Sequence, residues 1–189
     1  DLEGSCEISG SVSGQFLSGL LLCAVGAKKK INILRVDNLV QPDYVRMTIQ
    51  SIMAFGGKIN HDLNLTKFEV IPADTIGIGH YTIEADASTC CYFISLAFLH
   101  NFELRILNLG SSTLQPDFKF IHLLIQMGAN IKINESEVTV YKRPLNIKPK
   151  GNVTFDFLLY SDQALTMGAI GLFADGPLEI TGVSHIRHH

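Results

Sequence analysis

The phrase Gln-Pro-Asp-aromatic occurs twice in this chain, as Gln41-Pro42-Asp43-Tyr44 and as Gln115-Pro116-Asp117-Phe118. Each occurrence sets a carboxylate just past a proline. Proline suits the first turn of a helix, where the missing N–H has no partner to lose. An aspartate placed there either complements the helix dipole or moves a proton for a bound substrate. On pattern alone, helix initiation accounts for both phrases. A second recurring pair is Ser13-x-Gln15 and Ser161-x-Gln163, each opening an apolar segment, with serine a good residue to start a helix. The four cysteines, Cys6, Cys23, Cys90 and Cys91, offer no C-x-x-C pair and no Cys/His ligand spacing, so structural zinc is not expected. Cys90 and Cys91 sit together in an apolar helical pattern and read as packing residues, free thiols of a reducing compartment. Neither G-x-G-x-x-G nor a P-loop occurs, which removes the usual nucleotide-binding signals.

The elements that position these residues also repeat. Gln41 and Gln115 stand 74 residues apart, and Ser13 and Ser161 stand at twice that distance. Three apolar helices are expected, from Ser13 to Leu22, from Cys91 to Leu99 and from Ser161 to Phe173, apolar on most faces as a buried helix is. After the first comes an alternating strand, Ile31 to Val36. The Gln-Pro-Asp helix follows and ends at Gly56-Gly57, and two further strands, KIN and KFEVI, complete the unit. After the second helix the order recurs: FELRILNL, a Gln-Pro-Asp helix ending near Gly128, then NIKIN and EVTVYK. The unit is helix–strand–helix–strand–strand, about 75 residues long, beyond ordinary solenoid periods. It fits a few pseudo-symmetric lobes that pack their first helices together.

Composition narrows the function classes. Of 189 residues, 47% are hydrophobic and 17% charged, so the chain can bury a real core. The net charge is −3 with no basic stripe, which argues against a nucleic-acid surface. The lone positive run, Lys28-Lys29-Lys30, reads as a solvated turn. The apolar stretch from Phe16 to Val25 is too short to span a bilayer, so no membrane partner is expected.

Four stretches, ISGSVSGQFLSGLLLCA, YTIEADASTCCYFISLAFL, LQPDFKFIHLLIQMGANI and SDQALTMGAIGLFADGPLEITGVSHIRHH, resemble successive blocks of the 5-enolpyruvylshikimate-3-phosphate (EPSP) synthase family. Their order and spacing match along nearly the whole chain. The resemblance implies an α/β fold of pseudo-symmetric βαβαββ repeats, the inside-out α/β barrel of the enolpyruvyl transferases, with about two and a half units present. It places residues 1–83 as the last unit of one lobe, and residues 84–189 as the first unit and the start of the next unit of the other. A hinge is then expected near Ile83 to Asp86. The family's lysine-bearing N-terminal segment and its arginine-bearing segments have no counterpart here, so the resemblance implies a central part of a longer chain.

The same resemblance implies an activity. The family transfers enolpyruvyl from phosphoenolpyruvate (PEP) to the 5-hydroxyl of shikimate 3-phosphate, by addition and elimination, without metal or organic cofactor, in the cytoplasm. Asp117 matches the family's acid/base aspartate, while Asp43, at the same repeat position, matches no catalytic role. Ser13, Gly14 and Gln15 match the Ser-Ser-Gln block that binds the shikimate phosphate, with Gln15 also reaching PEP. Gly14 replaces that block's middle serine, losing one hydroxyl but keeping a backbone N–H. Tyr44 matches a tyrosine facing the shikimate ring, and Gln41 stands where the family has a serine. His189 falls where many members carry a lysine that contacts substrate and acts in proton transfer; histidine can do such work near neutrality. His185 and Arg187 are further phosphate neighbours. Asp162 and Asp86 read as structural, Asp86 as a helix cap. The simpler reading of Ser13 is an N-cap, of Gln15 a buried polar contact and of Tyr44 an aromatic on a helix face. The alternatives at the level of function are the sibling transferase acting on UDP-N-acetylglucosamine, which lacks the Asp86–Phe93 block, and a substrate-binding or structural piece without turnover. An isolated chain of this extent should expose apolar helix faces, to be covered by the rest of a parent chain or by self-association.

Overall fold

The computed structural model describes residues 3–73, 77, 79–144 and 147–184. The chain divides into two compact units, Asp1–Thr82 and Ile83–His189.

Unit 1 reads β1 (Gly4–Ile8), α1 (Gly14–Val25), β2 (Ile31–Arg35), α2 (Pro42–Ala54), β3 (Lys58–His61) and β4 (Lys67–Ile71). Its sheet has the order β1-β2-β4-β3. β1 and β2 run parallel, with Gly4 opposite Ile31 and Ile8 opposite Arg35; the other pairs are antiparallel, with Ile33 opposite Phe68 and Ile59 opposite Val70. A parallel pair cannot be closed by a tight turn and needs a crossover, which α1 supplies. Leu17, Leu21 and Ala24 of α1, and Val45, Ile49 and Ile52 of α2, repeat at helical spacing and are buried against Ile31, Ile33, Ile59, Phe68 and Val70.

Unit 2 reads α3 (Ala87–His100), β5 (Leu104–Leu107), a 3₁₀ turn (Pro116–Lys119), α4 (Phe120–Gln126), β6 (Asn130–Ile133), β7 (Glu137–Tyr141), β8 (Val153–Asp156), a second 3₁₀ turn (Ser161–Gln163), α5 (Ala164–Gly171) and β9 (Leu178–Thr181). β5, β7 and β6 form an antiparallel sheet in that order, and β8 pairs parallel with β9 across α5. Cys91, Ile94 and Phe98 of α3 pack with Phe120, Leu124 and Met127 of the α4 region and with Val138, Val140, Phe155, Phe157, Met167 and Ile170. α3 closes at Asn101 in the left-handed region (φ 56°). There the Arg143 guanidinium lies 4.2 Å from the centre of the Phe98 ring and donates to the Phe98 carbonyl (2.8 Å), while the Arg143 N–H donates to Asn101 Oδ1 (2.7 Å).

The expected repeat is therefore present: β1-α1-β2-α2-β3-β4, then α3-β5-α4-β6-β7, then β8-α5-β9. The glycines expected after the second helices are there, Gly56 at φ 91° and Gly128 at φ 97°, the left-handed closure that glycine allows without strain. Two details differ from the sequence reading. Pro42 opens an unbroken α-helix, whereas Pro116 opens a 3₁₀ turn before α4. β1, β8 and β9 are strands that alternation did not single out. On all three first helices large apolar side chains remain exposed: Phe16 and Leu22 on α1, Tyr92, Phe93 and Leu96 on α3, Leu165 on α5 and, just past it, Leu172 and Phe173.

Two glycines give opposite expectations. A Cβ on Gly110 would lie 2.4 Å from the Asn134 and Glu135 carbonyl oxygens, whereas one on Gly168, inside α5, meets nothing within 4 Å. Gly110→Ala should therefore destabilise unit 2 by about 1–3 kcal/mol, and Gly168→Ala should stabilise it by about 0.5–1 kcal/mol. Urea titration of the two variants beside the wild type checks both signs.

Candidate functional site

In unit 1 the candidate residues collect where β1 and β2 end and α1 and α2 begin. Ser13 is extended (φ −158°, ψ 137°), and its Oγ accepts from the Gln15 N–H at 3.2 Å. It is thus the N-cap of α1, and its hydroxyl stands beside the unpaired N–H groups of the first turn, a favourable place for an anion. Gly14 is buried against the start of α2: a Cβ there would sit 3.0 Å from the Val40 carbonyl oxygen and 3.3 Å from Val45 Cγ2. A side chain there would need the Val40–Val45 stretch to give by a few tenths of an ångström. Gln15 is exposed, contrary to the buried polar contact considered for it. Tyr44 is half-buried in the first turn of α2. Thr48 Oγ1 lies 3.1 Å from the Tyr44 carbonyl oxygen and 2.9 Å from Ser18 Oγ, joining the two helices one turn in. Ser13, Gly14, Gln15 and Tyr44 thus gather at one end of unit 1.

The loop that delivers Ser13 has an anchor the sequence reading missed. Asp37, just past β2, accepts from the Gly10 N–H (2.6 Å) and from Ser9 Oγ (2.5 Å), and Ser11 Oγ lies 3.0 Å from Ser9 Oγ. The Val40 N–H donates to the Gly10 carbonyl at 3.0 Å. The Ser9 hydroxyl bond, then the Gly10 N–H bond, holds the Asp37 carboxyl below the usual carboxylate range. An Asp-Asn pair between a strand and Gln-Pro is a turn signal, but its partner, 27 residues upstream, has no local signature.

Asp117 lies in unit 2, at the second position of the 3₁₀ turn, and is only 2% exposed. Its backbone carbonyl accepts from Cys91 Sγ at 3.6 Å. Burial, and then the Asp117 charge, pushes the Cys91 thiol well above its ordinary value, so this cysteine packs and does not attack. All four cysteines are free. Asp86 caps α3, accepting from the Ser88 (3.3 Å) and Thr89 (3.2 Å) N–H groups. Asp162 falls in the short 3₁₀ turn before α5. His185, Arg187 and His189 lie outside the described residues. Among the described residues, no group of three or more His, Cys, Asp or Glu is arranged to hold a metal ion, and no helix is long and apolar enough to cross a membrane.

A βαβαββ unit followed by two partial copies of the same order, with first helices apolar beyond their buried faces, is the pattern expected of the enolpyruvyl-transferase fold. Solved structures bear this out. EPSP synthase from Acinetobacter baumannii superposes with a TM-score of 0.68 at 18% identity, over 97% of this chain and 41% of that one. The enolpyruvyl transferase NikO from Streptomyces tendae gives 0.63 at 16% identity, over 93% and 44%. The chain belongs to the EPSP synthase family: the family model for EPSP synthase (3-phosphoshikimate 1-carboxyvinyltransferase) matches residues 2–189. A 3-phosphoshikimate 1-carboxyvinyltransferase of Halalkalibacterium halodurans is 37% identical over 98% of this chain, and one of Vibrio cholerae is 34% identical over 97%. The chain spans 41% and 42% of those two relatives' lengths.

The Asp37 anchor gives a pH test. Its folded carboxyl is lowered, so the order it confers is present above the unfolded value and is lost as pH falls through the lower, folded one. The Gly10 amide should exchange slowly at neutral and mildly acidic pH and lose protection only below the usual carboxylate range. In Asp37→Ala it should be unprotected at every pH. Hydrogen exchange followed by NMR checks this.

Proposed function

We propose that this chain supplies the central portion of an enolpyruvyl transferase of the shikimate pathway, which joins the enolpyruvyl group of PEP to the 5-hydroxyl of shikimate 3-phosphate and releases phosphate. The observation that carries the reading is the gathering of Ser13, Gly14, Gln15 and Tyr44 at the carboxyl ends of β1 and β2, in a chain whose relatives of that name align over 97–98% of it. Ligands of open α/β sheets bind at such strand ends. In this reading Ser13 Oγ and the first-turn N–H groups of α1 hold the 3-phosphate, Gln15 bridges toward PEP, and Tyr44 lies along the ring.

The substrate hydroxyl oxygen adds to C2 of PEP while its proton leaves to Asp117. A second acid, for which His189 is the candidate, protonates the C3 methylene. Elimination reverses the proton movement at C3 and breaks the C2–O bond to phosphate. Such transfers are worth about 10²–10⁴-fold in rate. At 2% exposure Asp117 is shielded in unit 2, so its carboxylate must be uncovered for the substrate to reach it.

PEP and shikimate 3-phosphate are thus the partners, with the remainder of a parent chain over the exposed apolar faces of α1, α3 and α5. A cytoplasmic location follows from the same reading, and four free thiols agree with it. The 189 residues alone should release no phosphate from PEP; release at a rate comparable to the full-length parent enzyme would sink that part of the proposal.

The deciding assay measures phosphate release from PEP by the full-length parent enzyme, with shikimate 3-phosphate in one run and UDP-N-acetylglucosamine in another. Release that needs shikimate 3-phosphate, lowered about 10²-fold or more in Asp117→Asn, is the expected result. Release only with the sugar nucleotide keeps the fold and overturns the substrate.

A further inference from the structure

Two loops meet at the candidate site of unit 1, residues 9–13 ahead of α1 and residues 36–41 ahead of α2, and one carboxylate joins them. Asp37 Oδ1 accepts from the Gly10 N–H at 2.6 Å, and Asp37 Oδ2 accepts from Ser9 Oγ at 2.5 Å. With the Ser9 proton given to Asp37, the Ser11 hydroxyl is left as the donor of the 3.0 Å contact to Ser9 Oγ, which the Ser11 N–H also approaches at 3.4 Å. Gly10 is buried, and a Cβ on it would lie 2.9 Å from Arg35 Cδ and from Leu39 Cδ1. The carboxylate thus draws the backbone of the first loop down onto the second.

Val40 holds the first loop at both ends. Its N–H donates to the Gly10 carbonyl at 3.0 Å, and its own carbonyl oxygen lies 3.0 Å from where a Cβ on Gly14 would stand. Between these two points run only Ser11, Val12 and Ser13. Ser13 ends the span as the N-cap of α1, its Oγ accepting from the Gln15 N–H. The place of the Ser13 hydroxyl relative to Tyr44, in the first turn of α2, is therefore set through the Asp37 bonds. The helices themselves have a separate tie. Leu17, Leu21, Val45 and Ile49 share one buried core, and Thr48 Oγ1 lies 2.9 Å from Ser18 Oγ. Removing the carboxylate frees the loop and leaves the helices packed.

We propose that Asp37 is a positioning residue for the phosphate of the acceptor substrate. It acts through Ser9 and Gly10, fixing the loop that ends in Ser13 so that the hydroxyl and the first-turn N–H groups of α1 stand in place before the phosphate arrives. Without this tie, the ordering of residues 11–13 falls on the binding step and weakens it. The inference rests on the phosphate-binding role proposed for Ser13, but the order of the loop can be tested without turnover.

The variants are Asp37→Ala, which removes both acceptors, and Asp37→Asn. The asparagine Oδ1 can still accept from the Gly10 N–H, and its Nδ2 can donate to Ser9 Oγ once the Ser9 hydroxyl turns toward Ser11. In the full-length parent enzyme, Asp37→Ala should raise KM for shikimate 3-phosphate about tenfold or more, with kcat and KM for PEP held within about twofold, as expected when preorganisation at one subsite is lost. Asp37→Asn should return KM for shikimate 3-phosphate close to the wild-type value. In the 189-residue chain, Asp37→Ala should speed amide exchange at Gly10, Ser11 and Val40 and shift the Ser13 Cβ resonance, while the amides of Leu17 to Leu21 and Val45 to Ile49 keep their wild-type protection. An unmoved KM for shikimate 3-phosphate, a loss shared equally with kcat or with KM for PEP, or an Asn variant no better than Ala overturns the proposal. Lost protection in the two helices overturns it as well, since Asp37 would then hold the fold at large. If the wild-type parent turns over neither acceptor, the functional reading fails by itself, and the Ser13 resonance with the exchange at Gly10, Ser11 and Val40 still decides whether Asp37 positions Ser13.

Discussion

The parallel pairing of β1 with β2 is the constraint on which the candidate site in unit 1 depends. Neighbours that run the same way cannot be joined by a hairpin, so α1 has to cross over the sheet, and its first turn must begin where β1 stops. β2 stops on the same side, and α2 begins there in turn. Ser13 and Tyr44, 31 residues apart, stand at the same end of unit 1 for that reason. The register, Ile8 opposite Arg35, brings the two exits level. Asp37 fastens one exit loop to the other through Ser9 and Gly10.

The second unit applies the same principle with another fastening. Its opening segment is held by side chains, with Asn108 on one side and Gln115 on the other. A residue before proline avoids the right-handed helical region, and the two Gln-Pro-Asp phrases leave that region in opposite directions. One steps into the left-handed region and starts an α-helix at once. The other stays extended and tightens into a 3₁₀ turn first. One four-residue phrase thus serves two local structures, because the surroundings choose between the exits that proline leaves open.

Much of this could be read from the sequence. Ser13 and Asp86 announce their helices because their side chains take up first-turn N–H groups, and Gly56 and Gly128 announce helix ends because they accept a positive φ. β2, β4 and β7 alternate visibly. β1 does not, since Gly-Ser-Cys-Glu-Ile carries too few large apolar residues and becomes a strand through its neighbour β2. The candidate site was legible only as a set of residue types, and the structure adds which of them share one end of unit 1. The contacts that hold the loops, Asp37 to Gly10 and Gln115 to Ala87, span 27 and 28 residues, and no local period encodes a pairing at that range. The apolar surfaces of α1, α3 and α5 were legible for the opposite reason. A helix apolar on most of its faces declares that more than one neighbour is meant to cover it.

The absent side chain at Gly14 ties two stretches of the sequence together by close packing. A hydroxymethyl group at that position would press on the carbonyl of Val40, which would have to give by a few tenths of an ångström. Gln41, in its left-handed conformation, belongs to that same stretch. Positions 14 and 40 are thus coupled by packing: what stands at the start of α1 sets how much room the backbone ahead of α2 must yield.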